Sequence, residues 1–179
     1  MTDINWDSMP KYNIDCGKIA TPAFISTILE HYNVDKYLYR IMYKGIVIKY
    51  GMSADNSKTY GERIYRQIGH LESWGPLRLT GSSGSDFRIT ETDFVNTYGF
   101  PLHKDHIKVH VWDVTKYQFK SVKPRREILE MESSLILRYK ELTGEKPIGN
   151  LNDEANYYGK PYIPKEIAAG LFDNFPGVS

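Results

Sequence analysis

The chain has 179 residues, 41% of them hydrophobic and 25% charged, which suits one globular domain with short appendages. Its net charge of +1 excludes nucleic-acid binding driven by overall charge, so any phosphate-binding surface must be local. Cys16 is the sole cysteine, which excludes an internal disulfide and a cysteine-built zinc site. No apolar run approaches the roughly 18 residues needed to cross a bilayer. The opening MTDINWDSMPKYN has neither an apolar nor an Arg-rich amphipathic targeting pattern, and the expected setting is reducing and cytoplasmic.

Residues 1–33 read as a lead-in with one short helix over about Pro22 to Tyr32, capped by Thr21 with Pro22 in its first turn. Two β-rich runs follow, KYLYRIMY over 36–43 and GIVIKYG over 45–51, joined at Lys44-Gly45 as a hairpin. Beyond a polar loop, a helix is expected from about Tyr60 to Glu72, with Ile64, Ile68 and Leu71 as its apolar stripe. The segment 73–105, rich in Gly, Ser and Thr, reads as a long irregular insertion. Residues 107–114 alternate as a third strand. Pro124 opens a strong helix that runs to about Leu142 and stops at Thr143-Gly144. The last thirty residues, with Pro161, Pro164 and Pro176, suggest an extended arm.

Three groups of residues carry chemical information. Glu132 sits at helical spacing from Ile128, Leu129, Leu135 and Ile136, so its carboxylate is expected to lose water and to need a replacement. That replacement is a divalent cation or a basic side chain, unless Glu132 lies at the edge of the stripe. Arg66 and His70, four apart, share a helix face with Arg63; the pair suits phosphate binding and proton exchange, or a solvated polar face. The run 116–126, KYQFKSVKPRR, holds five cations and no acid, and suits either DNA or solvent.

Taken in order, YLYRIMYKGIVIKYGMS, RQIGH and ESSLILRYKELTGEKPIGN resemble the GIY-YIG nuclease family. Tyr39 takes the place of the first motif tyrosine. Gly51-Met52-Ser53 takes the place of the Gly-x-Ser end, Arg66 and His70 that of Arg-x-x-x-His, and Glu132 that of the metal-binding Glu. Counting back from Gly51, Lys49 stands where the second tyrosine belongs, with Tyr50 displaced by one. Lys there, with the run Lys146-Pro147-Ile148-Gly149, is similar to a small restriction-endonuclease branch of the family. The resemblance covers about 36–72 and 107–150, and Arg63 competes with Arg66 for the arginine role.

The resemblance implies an α+β fold with a three-stranded antiparallel sheet flanked by helices, within a nuclease domain over 34–150. It implies metal-dependent hydrolysis of double-stranded DNA, with one Mg²⁺ or Mn²⁺ held by Glu132. Tyr39 would take the proton of the attacking water, aided by nearby positive charge from Lys49 and Arg66. Arg66 would hold a phosphate oxygen, His70 would bond to Tyr39 or phosphate, and Asn150 is a further site residue. A symmetric double-strand cut would call for a homodimer or sequential nicking. The competing readings are a phage or homing-type nicking enzyme and a DNA-binding protein that has lost catalysis. Without the resemblance, Tyr39 reads as a packing tyrosine and Lys49 as an outward strand lysine.

Overall fold

The computed structural model describes residues 6–18, 23–44, 46–54, 106–120, 122–147, 150 and 177–178. The expected helix over 60–72, the insertion 73–105, the Thr21-Pro22 cap and most of the C-terminal arm lie outside the described residues.

The fold is α+β. Strand β2, Tyr37–Tyr43, and strand β3, Ile46–Ser53, form the hairpin that the β-rich runs predict. Its turn places Lys44 at φ 48, and a bulge interrupts the register at Ile41/Met42. Strand β4, Ile107–Asp113, pairs antiparallel with β2 on one side. On its other side it pairs antiparallel with β1, Lys11–Asp15, whose outer edge carries β5, Gly177–Val178, in parallel. The order is therefore β3-β2-β4-β1-β5.

This corrects the expected three-stranded sheet: four strands are antiparallel, and the added one comes from the lead-in. The segment KYNID alternates Tyr12 and Ile14 with Lys11, Asn13 and Asp15. Asn and Asp are poor strand formers, so β1 owes its conformation to the backbone of β4 more than to propensity. The last residues join the same sheet as β5.

Helix α1, Ala23–His31, falls within the predicted span. It ends in a Schellman turn: Asn33 at φ 56 donates to the Glu30 carbonyl, and Val34 donates to the Leu29 carbonyl at 2.9 Å. Leu29 and Val34, brought together by that turn, are both fully buried. Helix α2, Pro124–Thr143, begins and ends where the proline and glycine signals place it. Gly144, at φ 89, closes its last turn with a 2.8 Å bond to the Lys140 carbonyl.

Strand alternation sorts the side chains onto two faces. Leu38, Met42, Tyr50, Met52 and Trp112 form one core with Ile128, Met131, Leu135 and Ile136 of α2. Each large aliphatic buried there contributes about 2 kcal/mol. Trp6 closes this core edge-to-face on Trp112, with ring centroids 5.5 Å apart. The opposite face carries Tyr37, Tyr39, Ile41 and Val111 beside Lys49 and Gly51. At the end of β4, Asp113 accepts from the Thr115 amide, and the Thr115 hydroxyl accepts from the amides of Asp35 and Lys36, fixing where β2 starts.

Candidate functional site

The β2–β3 hairpin decides how the candidate residues are presented. Tyr39 pairs directly with Gly51 across the strands, and Ile41 pairs with Lys49. Tyr39, Lys49 and Gly51 thus share the face away from α2. The Tyr39 ring lies over Gly51: a Cβ there would overlap its Cζ and hydroxyl and approach Cε1 to 2.6 Å. Glycine at 51 is a space requirement that places the phenol end of Tyr39 above the edge strand.

Lys49, with only 4% of its surface exposed, occupies the row next to Tyr39 on that face. Tyr50 points the other way. It pairs with Arg40, stacks edge-on against Tyr139 of α2 at 6.3 Å, and is completely buried. Burial raises the Tyr50 hydroxyl far above its ordinary value, with Arg40 opposing the shift only in part. Tyr50 therefore stays a neutral core phenol, and of the two residues only Lys49 faces Tyr39.

Glu132 lies on α2 among Ile128, Leu135 and Ile136, all at 0% exposure, with Leu129 half-buried beside it. Glu132 itself is half-buried, so the carboxylate leads out of the aliphatic stripe without being sealed in it. Helix α2 runs chiefly along β3. Since α2 covers the face opposite Tyr39, Glu132 and the Tyr39 phenol lie on opposite sides of the sheet.

Asn150 reaches that same edge. Its Oδ1 accepts from the Tyr50 amide at 2.9 Å, and its Nδ2 donates to the Tyr50 carbonyl at 3.0 Å. The side-chain amide thus continues the sheet for one residue and ties the chain after α2 to β3. Asn150→Ala is expected to cost about 1–2 kcal/mol for the two bonds, with faster amide hydrogen exchange at Tyr50. Unchanged exchange there would show that the clamp is not maintained in solution.

Arg63, Arg66 and His70 lie outside the described residues. Among the described residues no three His, Cys, Asp or Glu side chains gather into a metal-binding group. Glu132 offers one half-buried carboxylate, an oxygen donor of the kind Mg²⁺ takes.

Sequence reasoning missed Arg40 and His110. Both are buried on the α2 face, at 0% and 1% exposure, and Arg40 Nε donates to His110 Nδ1 at 2.9 Å. The Arg40 guanidinium also lies over the Trp112 ring, 5.3 Å from its centroid. The available signal was Arg40 as the one charged residue of its strand, and His110 between two valines.

Burial, reinforced by Arg40 and Lys108, lowers the His110 imidazole to about 3. The unfolded chain binds the proton near 6.5, so stability falls as the pH drops through 6.5 and keeps falling to about 3. The loss reaches at most about 1.4 kcal/mol per pH unit. His110→Asn, which keeps an acceptor for Arg40 but does not titrate, is expected to flatten the denaturant-midpoint profile between pH 6.5 and 4 relative to the parent. Parallel profiles would show that His110 is not buried neutral.

No family model matches the sequence, and no curated protein or solved structure matches it.

Proposed function

We propose that this protein is a divalent-metal-dependent DNA endonuclease of GIY-YIG type, restriction-like in its sequence specificity, with its active site at the β3 edge of the β2–β3 hairpin. The observation that carries the reading is the Tyr39 phenol laid over Gly51 with Lys49 on the same face. The motif resemblance names the same three positions.

Tyr39, as its phenolate, takes a proton from the attacking water. A phenol is a poor base at its free value of about 10, so it needs positive charge beside it. Lys49 supplies that from the adjacent strand. Arg66 holds a phosphate oxygen, His70 hydrogen-bonds to Tyr39 or to phosphate, and Glu132 is the residue that would hold one Mg²⁺ or Mn²⁺. The ion, when bound, supplies Lewis acidity for charge developing on the leaving 3′ oxygen. A homodimer, or two sequential nicks, would give a double-strand cut.

The test is nicking of supercoiled plasmid with Mg²⁺ or Mn²⁺ against a chelator control, for the parent and Tyr39→Phe. Expected is metal-dependent cleavage in the parent, lowered roughly 100-fold or more in Tyr39→Phe. A parent that leaves the plasmid intact across salt, pH and both metals sinks the catalytic reading. One observation favours a second reading, a DNA-binding protein without catalysis: Tyr39 and Lys49, at 2% and 4% exposure, are packed as deeply as the core.

A further inference from the structure

The five cations of 116–126 acquire a fixed geometry in the fold. Residues alternate there: Lys116, Gln118 and Lys120 are exposed, while Tyr117 and Phe119 turn inward. Those two rings pack edge-to-face at 5.0 Å and against the core under α2. The Tyr117 amide is bonded to the Val114 carbonyl, and the Lys120 amide to Glu127 Oε1 at 3.1 Å. Half-buried aromatics thus hold the backbone while the basic side chains project from it.

The track continues through Lys123, Arg125 and Arg126, all exposed, into the first turn of α2. Between them Val122 stands 98% exposed. No acid occurs from Val114 to Arg126, in a chain whose net charge is only +1. Helix stability would favour acids at this end of α2, where the dipole is already positive. Glu127 lies in that first turn and Arg126 Nε sits 3.7 Å from Glu130 Oε1, yet the cations outnumber the acids there, and the surplus positive charge suits an outside anion.

We infer that the ledge 116–126 is a phosphate-backbone track for duplex DNA, separate from the hydrolytic site. It rests on the reading of DNA as substrate, and names the surface that holds the duplex while the hairpin edge acts on it. The contact is with phosphates, so it positions the duplex and reads no bases.

The test is a salt titration of binding to a short duplex, by fluorescence anisotropy in chelator, so that catalysis plays no part. Three proteins are compared: the parent, K116Q/K120Q/K123Q/R125Q/R126Q, and the control K44Q/K108Q/K140Q, which removes exposed charge elsewhere. The slope of log K against log salt is expected to become shallower by roughly 0.9 for each ledge cation that meets a phosphate, with at least a roughly tenfold loss of affinity. The control should stay near the parent.

The inference is overturned if the parent binds no duplex, if the ledge variant keeps the parental slope, or if the control loses as much. Loss of binding to phosphatidylserine vesicles with duplex binding intact would also overturn it, and would reassign the ledge to a membrane surface. Ledge-dependent binding by a parent that never cuts DNA leaves this inference standing and removes only the catalytic reading. Normal binding and cutting by the ledge variant does the reverse.

Discussion

Glu132→Ala is expected to lower metal-dependent cleavage by roughly 1,000-fold while leaving duplex binding in chelator unchanged. On the proposed reading the carboxylate holds the ion, so removing it would remove several kcal/mol of charge stabilisation in the transition state, and about 4 kcal/mol corresponds to that factor. The fold should tolerate the change. Glu132 is half-buried, and the packing under α2 is made by Ile128, Leu135 and Ile136. Two melting curves separate the metal role from a structural ion pair. If Glu132 holds the metal, Mn²⁺ raises the parent's melting temperature by mass action and leaves that of Glu132→Ala unmoved. If the residue serves an ion pair, the variant melts lower without metal and responds to Mn²⁺ as the parent does. Parental cleavage rates in Glu132→Ala would refute the metal assignment outright.

Gly51→Ala carries the largest structural effect, because a single methyl group collides with the business end of Tyr39. The new Cβ would fall on Cζ and the hydroxyl, atoms that cannot give way without swinging the whole ring off the edge strand. Overpacking of this kind costs about 1–3 kcal/mol. On the proposed reading, cleavage should fall further than stability, since a displaced phenol would no longer meet the reacting phosphate. Paired with Tyr39→Ala, the substitution becomes a double-mutant cycle. With the ring gone the methyl group has room, so the stability penalty of Gly51→Ala should largely vanish in the Tyr39→Ala background. Additive penalties would show that the ring does not lie over Gly51 in solution. The cycle reads stability alone, so it tests the hairpin geometry whether or not the protein cuts DNA.

Local sequence determined the elements whose signals are self-contained. The hairpin was legible because two β-branched and aromatic runs flank Lys44-Gly45. Helix α2 was legible because Pro124 suits a first turn and Gly144 can take the left-handed conformation that ends it. The period of two that places Lys49 with Gly51, and Tyr50 opposite, is equally local once the strand is known.

Tertiary structure alone decided what depends on distant partners. KYNID became β1 because β4 offered it a free edge, which neither segment announces. Asn150 lies 100 residues from the Tyr50 backbone it clamps. Arg40 looked like an ordinary strand residue, yet β2 lies between β3 and β4 and is buried at every position, so no polar face was left for it to occupy. The side of the sheet that α2 covers likewise puts Glu132 on the opposite side from Tyr39. A side chain's burial and its neighbours across a sheet are properties of strand order, and strand order is a long-range outcome that periodicity within one segment does not contain.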